Sequence, residues 1–326
     1  MNRILLSGCA GFIGSKVSEV LLQQGYAVIG VDDLNDAYDV RLKEWRLKRL
    51  QSQRRFQFHR VDIADRRALE KVFAEAGPLR AVVNLAARAG VRQSVEDPWV
   101  YYRTNVVGAI NLLELCKATE IGKFAAASSS SVYGISPESG RPLREDLPTD
   151  RPLSPYAASK KAMEALCHSY HHLYDLDIVL FRYFTVYGPA GRPDMSIFRF
   201  VKWIAEGEPL ILYGDGTQER DFTYIDDIAR GTVLALEQTG YQIFNLGNNR
   251  PVAITRLISL IEELLGKKAQ IDRQPAHRAD VRATWASIDR ARELLGWEPE
   301  TRIEQGVEFT VDWYLENREW AKKIQT

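Results

Sequence analysis

Short apolar runs alternate with longer amphipathic segments through the first half of the chain. Runs of this length, closed by glycine or polar residues, are typical of buried strands. The segments between them carry apolar residues three and four positions apart, which predicts helices. The predicted strands are RILLSG, AVIGVDD, FQFHRVDI, LRAVVNLAA, KFAAASSSS and DIVLFRYF. The predicted helices are SKVSEVLLQQGY, RRALEKVFAEAG, TNVVGAINLLELCKATEI and YAASKKAMEALCHSYHHLY.

This alternation predicts an α/β fold with a doubly wound, Rossmann-type parallel sheet that helices cover on both faces. After about residue 185 the pattern breaks into turn-rich pieces such as YGDGTQERDF and NLGNNRP. We therefore expect residues 1–185 to form a nucleotide-binding domain that also carries the catalytic residues. Residues 186–326 should form mainly a smaller substrate-binding lobe, interleaved with segments that return to the first domain.

A basic segment, NDAYDVRLKEWRLKRLQSQRR at 35–55, is inserted between the second and third predicted strands. Its density of arginine and lysine favours a helix whose charged face is solvated. The alternative is that it borders a cofactor site or a neighbouring subunit.

Composition excludes several classes of partner. The 326 residues include 43 Lys and Arg and 43 Asp and Glu, so no net charge favours nucleic acid or an anionic membrane. Three cysteines without metal-like or disulfide-like spacing, no signal peptide and no long apolar run predict a cytoplasmic protein. His168 and His172 share a helix face, but no third ligand is evident, so we expect no metal site.

The loop GCAGFIGS directly follows the first strand and opens a helix. Its glycines, Gly8, Gly11 and Gly14, permit a tight turn and the close approach of a pyrophosphate to backbone amides. Asp32, at the end of the second strand, suits the ribose hydroxyls of NAD and disfavours the 2′-phosphate of NADP. Asp62, before Ile63, is placed either to hold an adenine or to cap a helix. NAD is the predicted cofactor.

The segment SPYAASKK places Tyr156 and Lys160 one helical turn apart on the same face. A phenol becomes a proton acceptor near neutral pH when positive charge lowers its pKa. Upstream, the serines of KFAAASSSSVYG lie at the carboxyl end of a strand, which is the active edge of a parallel sheet. Together these features predict redox chemistry at an alcohol.

The chain resembles the NAD-dependent sugar epimerase/dehydratase family, the extended short-chain dehydrogenases/reductases, over nearly its whole length. The motifs that carry the resemblance are GCAGFIGS, NLAARAG, TNVVGAINLLE, SSSSVYG, SPYAASK, FRYFTVYGP and RDFTYIDDIARG. The resemblance implies that Ser129, Tyr156 and Lys160 are catalytic, with Lys160 also holding the nicotinamide ribose. It further implies that the cofactor is contacted by Phe12, Ile13, Leu85, Ala86, Ala87, Asn105 and Tyr183, with Phe184 beside Tyr183.

Within the family, the residues before VYG indicate the reaction. Relatives that eliminate water carry an acidic pair there, and nucleotide-sugar decarboxylases tend to carry a glutamate, whereas this chain has Ser130 and Ser131. The pattern therefore favours 4-epimerisation of a UDP-sugar through a transient 4-keto intermediate, with NAD regenerated in each turnover.

The sugar is indicated by Arg192 in YGPAGRPDM and by Thr185 in YFTVYG, which together with GVRQS resemble UDP-glucuronate 4-epimerases. Arg192 is expected to grip the sugar carboxylate bidentately, and Arg88 or Arg92 is the alternative. Ser129 and Ser130 are also expected at the sugar. By resemblance the UDP moiety is held by Tyr213, Gln218, Arg220, Arg278 and Asp280.

Other functions remain open at this point. A UDP-glucose or UDP-N-acetylglucosamine 4-epimerase, a UDP-glucuronate 5-epimerase and a decarboxylase share the motifs. A regulator that binds NAD without turnover is the alternative from another class, but such relatives usually lack the tyrosine or the lysine. The resemblance also implies a homodimer formed by the helices NVVGAINLLELCKATE and YAASKKAMEALCHSYHHLY.

Overall fold

A seven-stranded parallel sheet forms the centre of the computed structural model, which describes residues 2–134, 141–276 and 281–326. Its strands are β1 (Arg3–Ser7), β2 (Ala27–Asp32), β3 (Phe56–Arg60), β4 (Ala81–Asn84), β5 (Lys123–Ser129), β6 (Asp177–Tyr183) and, much later in the chain, β10 (Tyr241–Leu246). The strand order is β3-β2-β1-β4-β5-β6-β10, and every neighbouring pair is parallel. The predicted doubly wound α/β fold is confirmed.

Helices cover both faces of this sheet. They are α1 (Phe12–Gln23), α2 (Val40–Gln51), α3 (Arg66–Ala76), α4 (Gln93–Glu96), α5 (Pro98–Tyr102), α6 (Gly108–Ala118) and α7 (Pro155–Tyr174), with a π-helical turn at Arg103–Val107 and a 3₁₀ turn at Ser130–Tyr133. Successive strand residues alternate between two cores: Ile4 and Leu6 lie in one, and Leu5 lies in the other. Burial on both faces explains why the inner strands β1, β2 and β4 are almost continuously apolar, whereas the edge strand β3 contains polar residues.

Most of the remaining elements form a smaller lobe with two short sheets. Its strands are β7 (Thr185–Tyr187), β8 (Pro209–Tyr213), β9 (Glu219–Tyr224), β11 (Pro251–Ala253) and β12 (Gln270–Gln274). The helices of this half are α8 (Ser196–Glu206), α9 (Ile225–Leu234), α10 (Ile254–Leu265), α11 (Asp289–Leu295), α12 (Ile303–Glu316) and α13 (Arg318–Ala321), with a 3₁₀ turn at Ala235–Glu237. Of these, α9 packs against α1 and α11 against β10, so both return to the central sheet. One sheet has the order β11-β9-β7 and the other pairs β12 with β8. The domain boundary at residue 185 stays a prediction.

The inserted basic segment differs in part from its expected solvated arrangement. Helix α2 buries Leu42, Lys43, Arg46, Leu47 and Leu50 along one face. Asp39 caps it by accepting a hydrogen bond from the Arg41 amide. The helix therefore has a packed inner face that includes two cations, while Arg41, Glu44, Lys48 and Arg49 form the expected solvated face.

Candidate functional site

The glycine loop is shaped by close backbone contacts. Gly8 has φ +77, and its amide donates to the Val31 carbonyl at 2.7 Å. A Cβ atom on Gly8 would lie 2.6 Å from the Ala86 nitrogen, and one on Gly14 would lie 2.0 Å from the Gly8 oxygen. Larger residues are therefore excluded at both positions. Gly11 caps α1 without a side-chain hydrogen bond, which suits an anion at the first turn of the helix.

Asp32 lies at the carboxyl end of β2, beside this loop. Its oxygens accept hydrogen bonds from the amides of Ala10 at 3.1 Å and Leu34 at 2.9 Å. Burial raises the pKa of Asp32, and the charge of Lys43 opposes that rise. Lys43 donates to the backbone and side-chain oxygens of Asn35 at 2.8 and 3.0 Å. These side chains line the cleft beside the glycine loop.

Asn35, Tyr38 and Lys43 line the same cleft as Asp32, although the sequence analysis did not single them out. The apolar positions of α2 were the available signal, because Leu42, Leu47 and Leu50 define a buried face on which Lys43 also lies. A lysine on that face belongs to the interior of the protein rather than to solvent.

Most predicted cofactor residues lie on the wall of one cleft. They are Gly8, Gly11, Phe12, Ile13, Gly14, Asp32, Asp62, Ile63, Leu85, Ala86, Ala87, Lys160 and Tyr183. Among the described residues, Asn105 is not on this wall: its side chain binds the Arg88 amide and carbonyl and the Ser159 hydroxyl. Asp62 does not cap α3, because Asp65 is the N-cap and accepts from the Ala68 amide.

The end of β5 meets α7 through three consecutive residues. The Ala127 carbonyl accepts from Lys160 Nζ at 2.7 Å, and the Ser128 hydroxyl donates to Glu164 at 2.6 Å. Ser129 lies beside Tyr156 and lowers the pKa of its phenol. Because the three partners lie on one face of α7, the strand and the helix fix the predicted catalytic trio as a unit.

The protonation of the trio is governed first by burial. Burial raises the pKa of Tyr156, while the hydrogen bond with Ser129 and the charge of Arg192 lower it. Burial lowers the pKa of Lys160 to about 8, against the opposing effects of Cys167 and Glu164. The cation that acts on the phenol in this structure is thus Arg192. Acidification by Lys160, whose ammonium group binds the Ala127 carbonyl, stays a prediction.

On the predicted sugar side, the cleft is lined by Ser129, Ser130, Thr185, Arg192 and Arg220. Arg192 is paired with Asp194 through Nε at 3.0 Å and Nη2 at 2.6 Å, and Nη2 also donates to the Ala89 carbonyl at 3.2 Å. The pair occupies one edge of the guanidinium. Of the three guanidinium nitrogens of Arg192, only Nη1 has no hydrogen-bond partner among the described residues. Bidentate binding of a further carboxylate therefore requires the Arg192–Asp194 pair to rearrange.

Several other predicted substrate residues lie elsewhere. Within the described ranges, Arg88, Tyr213 and Gln218 are not on the cleft wall. Gln218 donates to the Tyr213 carbonyl at 2.9 Å, and the Arg92 guanidinium lies 3.9 Å from the centre of the Tyr213 ring. Arg278 and Asp280 lie outside the described residues.

The described part of the chain contains no group of three or more His, Cys, Asp or Glu side chains able to hold a metal ion. The same residues include no helix with the length and apolar character needed to cross a bilayer.

Known proteins resemble the chain over its whole length. It is 55% identical to a UDP-glucuronate 4-epimerase of Thermodesulfobacterium geofontis (strain OPF15), covering 100% of both chains. A Bacillus cereus UDP-glucuronic acid 4-epimerase, solved with UDP-glucuronic acid and NAD, superposes with a TM-score of 0.89 at 38% identity over 97% of this chain and 99% of that one. A Thermotoga maritima UDP-glucose 4-epimerase bound to UDP-glucose superposes equally well at 32% identity, with the same coverage. The family model for NAD dependent epimerases/dehydratases matches residues 4–247, and the chain belongs to this family.

Proposed function

We propose that this protein is an NAD-dependent UDP-glucuronate 4-epimerase, which interconverts UDP-glucuronate and UDP-galacturonate through a transient 4-keto sugar. The observation that carries the proposal is a single cleft lined by a dinucleotide loop, by Ser129, Tyr156 and Lys160, and by Arg192. The high identity to an epimerase of the same specificity supports the choice of substrate.

The residues of the cleft fit NAD. The glycine loop leaves no room for a Cβ atom at Gly8 or Gly14, so its backbone can approach a pyrophosphate closely. Asp32 and Lys43 line the cleft beside this loop, which supports the proposal that the Asp32 carboxylate binds the adenosine ribose. When bound, NAD supplies the redox chemistry, since it accepts a hydride from C4 of the sugar and returns it.

Tyr156 and Ser129 handle the proton of the sugar 4-hydroxyl. Both residues line the cleft, and Ser129 lowers the pKa of the Tyr156 phenol. Tyr156 takes the proton as the alcohol becomes a ketone and gives it back when the alcohol is restored. Because burial raises the pKa of the phenol, the positive charge of Arg192 helps to make proton removal accessible near neutral pH.

Arg192 distinguishes a sugar acid from a neutral sugar. A carboxylate beside a 4-ketone loses carbon dioxide when its bond to C5 lies parallel to the ketone π orbitals. A guanidinium that holds the carboxylate in the plane of the ring opposes that alignment. Nη1 is the donor available for this contact, and Asp194 fixes the orientation of the group.

The test is incubation of the purified protein with UDP-glucuronate, followed by proton NMR of the sugar. Inversion at C4 alone is expected for the parent protein. Tyr156→Phe should lose at least about a hundredfold in kcat, since general base catalysis contributes about 10² to 10⁴. Tyr174→Phe, a change at the far and exposed end of α7, serves as the control and should keep full activity. Unchanged turnover in Tyr156→Phe contradicts the assignment.

The Arg192–Asp194 pair favours a second candidate, a 4-epimerase of a neutral UDP-hexose. A guanidinium that is already neutralised by a carboxylate attracts a charged sugar less strongly than a free one. Comparison of kcat/KM for UDP-glucuronate and UDP-glucose separates the two candidates. A higher value for UDP-glucose overturns the first.

We infer further that the protein is a homodimer in which α6 and α7 of two copies pack together. Exposed apolar side chains at the ends of these helices, Val107, Leu173 and Tyr174, support this arrangement. Sedimentation equilibrium should give twice the 37.1 kDa chain mass, and Leu173→Glu should shift the mass toward the monomer. A parent protein that sediments as a monomer at micromolar concentration contradicts it.

A further inference from the structure

Arg46 is a buried arginine with neutral partners. It lies on α2 and is 4% exposed, and no carboxylate among the described residues forms an ion pair with it. Nε and Nη2 both donate to the Ala190 carbonyl, at 3.1 and 2.5 Å, and Nη2 also reaches the Gly191 carbonyl at 3.3 Å. Nη1 donates to the Ala10 carbonyl at 3.2 Å and to the Tyr38 hydroxyl at 2.8 Å. Burying a cation is costly, so this full set of acceptors compensates for lost water.

The acceptors belong to two loops that are distant in sequence. Ala10 lies in the glycine loop, whereas Ala190 and Gly191 directly precede Arg192. Ala190 has φ +52, in the left-handed region that residues with a Cβ rarely adopt and that costs about 1 kcal/mol or more. The two hydrogen bonds to its carbonyl therefore hold a strained turn immediately before Arg192.

Tyr38 provides a second connection between the two arginines. The Arg46 guanidinium lies 5.7 Å and the Arg192 guanidinium 5.6 Å from the centre of the Tyr38 ring. Arg46 also fixes the ring by its hydrogen bond to the hydroxyl. Arg46 thus restrains Arg192 twice, through the backbone before it and through the aromatic ring beside it.

We propose that Arg46 is a positioning residue for recognition of the sugar carboxylate, because it sets the place of Arg192 relative to the cofactor loop. The inference rests on the proposed function, since it assigns Arg46 to the site that selects a sugar acid. Arg46 makes no contact with the sugar in this scheme. It fixes the turn from which the contacting guanidinium projects.

This positioning also governs the side reaction. In decarboxylation the bond between C5 and the carboxylate carbon breaks, carbon dioxide leaves, and the electron pair enters the 4-ketone to form an enolate. A proton then adds to C5. If Arg192 is displaced, the carboxylate can rotate out of the ring plane, so loss of carbon dioxide should increase relative to epimerisation.

The test uses two substitutions and a matched control on the same helix. Arg46→Lys keeps the cation but cannot span three carbonyls, and Arg46→Met removes the cation but keeps the apolar stem. Arg49→Met changes the exposed arginine that lies 4.9 Å over the Trp45 ring. Three quantities are measured on the holoenzyme: bound NAD per chain, the ratio of Kd values for UDP-glucose and UDP-glucuronate, and carbon dioxide released per epimerisation.

In both Arg46 variants the ratio of Kd values that favours UDP-glucuronate should fall about tenfold, which corresponds to the free energy of one charge-assisted hydrogen bond. Both variants should also release more carbon dioxide per epimerisation. The control should match the parent protein. A merely structural role would weaken both ligands equally and leave the Kd ratio unchanged, which overturns the inference. An Arg46→Lys variant that keeps the full preference for UDP-glucuronate also overturns the inference, because a positive charge at position 46 would then be sufficient without the hydrogen bonds to the carbonyls. If the methionine variant does not fold, the lysine variant decides.

Failure of the proposed function gives a different result. A parent protein that does not epimerise UDP-glucuronate, or that binds UDP-glucose as tightly, refutes the function and removes the basis of the inference. A parent protein that epimerises and prefers UDP-glucuronate, with Arg46 variants that keep the same preference, refutes the inference alone.

Discussion

Replacing Glu164 with glutamine should destabilise the protein by about 3–5 kcal/mol, the usual result of removing one partner from a buried ion pair. Glu164 and Arg182 each have a side chain that is 3% exposed, and their two N···O distances are both 2.9 Å. Glu164 also accepts from the Ser128 hydroxyl at 2.6 Å. Glutamine would leave the Arg182 cation in the interior without the one carboxylate that forms an ion pair with it among the described residues.

The size of the effect follows from what remains around Arg182. Its other acceptors are neutral: the Tyr133 hydroxyl at 3.1 Å and the Glu145 carbonyl at 3.0 Å. Neither supplies the negative charge that the buried cation requires. At roughly 2–4 °C per kcal/mol, the range for somewhat smaller domains, the melting temperature should fall by roughly 6–20 °C. Because Glu164 lies one turn after Lys160 on α7, kcat should fall as well.

The assay is denaturation at saturating NAD, with Glu237→Gln as the control. Glu237 pairs with Arg80 at 2.6 Å on the surface, where such pairs contribute about 0–1 kcal/mol. The double substitution Glu164→Leu with Arg182→Met should recover most of the lost stability, since it removes both charges. A loss in Glu164→Gln no larger than that in the control would refute the reasoning.

Three further predictions concern the cleft. Gly14→Ala should not retain NAD, because its Cβ would lie 2.0 Å from the Gly8 oxygen, and a normal NAD content in extracts of the variant contradicts this. Burial lowers the pKa of Lys160 to about 8, so its charge is lost as pH rises through 8 and kcat/KM should fall there. In Lys160→Arg the fall of kcat/KM at alkaline pH should move above pH 10, because arginine stays protonated there. A fall that remains near pH 8 would show that deprotonation of Lys160 is not its cause. Asp194→Asn removes the negative charge that neutralises Arg192, so the Kd of UDP-glucuronate should fall several-fold while the Kd of UDP-glucose stays the same. Calorimetry measures both values. An unchanged ratio of the two Kd values would show that Asp194 does not weaken carboxylate binding by Arg192.

Much of the central sheet was predictable because burial on both faces makes inner strands almost continuously apolar, but the edge strand β10 was not identified from the sequence. The runs RILLSG, AVIGVDD and DIVLFRYF correspond to β1, β2 and β6 within a residue or two. Helix α1 begins at Phe12 rather than at Ser15, because the helix starts inside the glycine loop. Local pattern defined the elements but not the exact start of a helix that shares residues with a loop.

Helix α2 was only partly predicted because two residues of its buried face are charged. Hydrophobic patterning counts Lys43 and Arg46 as solvent-facing, yet both find oxygen acceptors inside the protein. The acceptors of Arg46 are backbone carbonyls 36 and 144 positions away in sequence. Backbone acceptors have no residue signature, so nothing in the sequence marked this contact.

Arg192 shows a different limit of sequence-based prediction. Its residue type and loop position indicated a carboxylate-binding arginine, and the structure does place it on the cleft wall. Whether Asp194, two residues later, would point toward it depends on the loop conformation, and the pairing therefore appeared only in three dimensions. The glycine loop and the Tyr156–Lys160 spacing were easier to predict from the sequence. Close backbone contacts determine the first, and the fixed geometry of a helix determines the second.

The most direct test of 4-epimerisation by removal and return of the same hydrogen is turnover of UDP-glucuronate in heavy water. Proton NMR should show UDP-galacturonate with protium retained at both C4 and C5, since the C4 hydrogen leaves and returns as a hydride that does not exchange with water and C5 is never deprotonated. Deuterium at C5, with either an inverted carboxylate or a pentose product, would contradict the account.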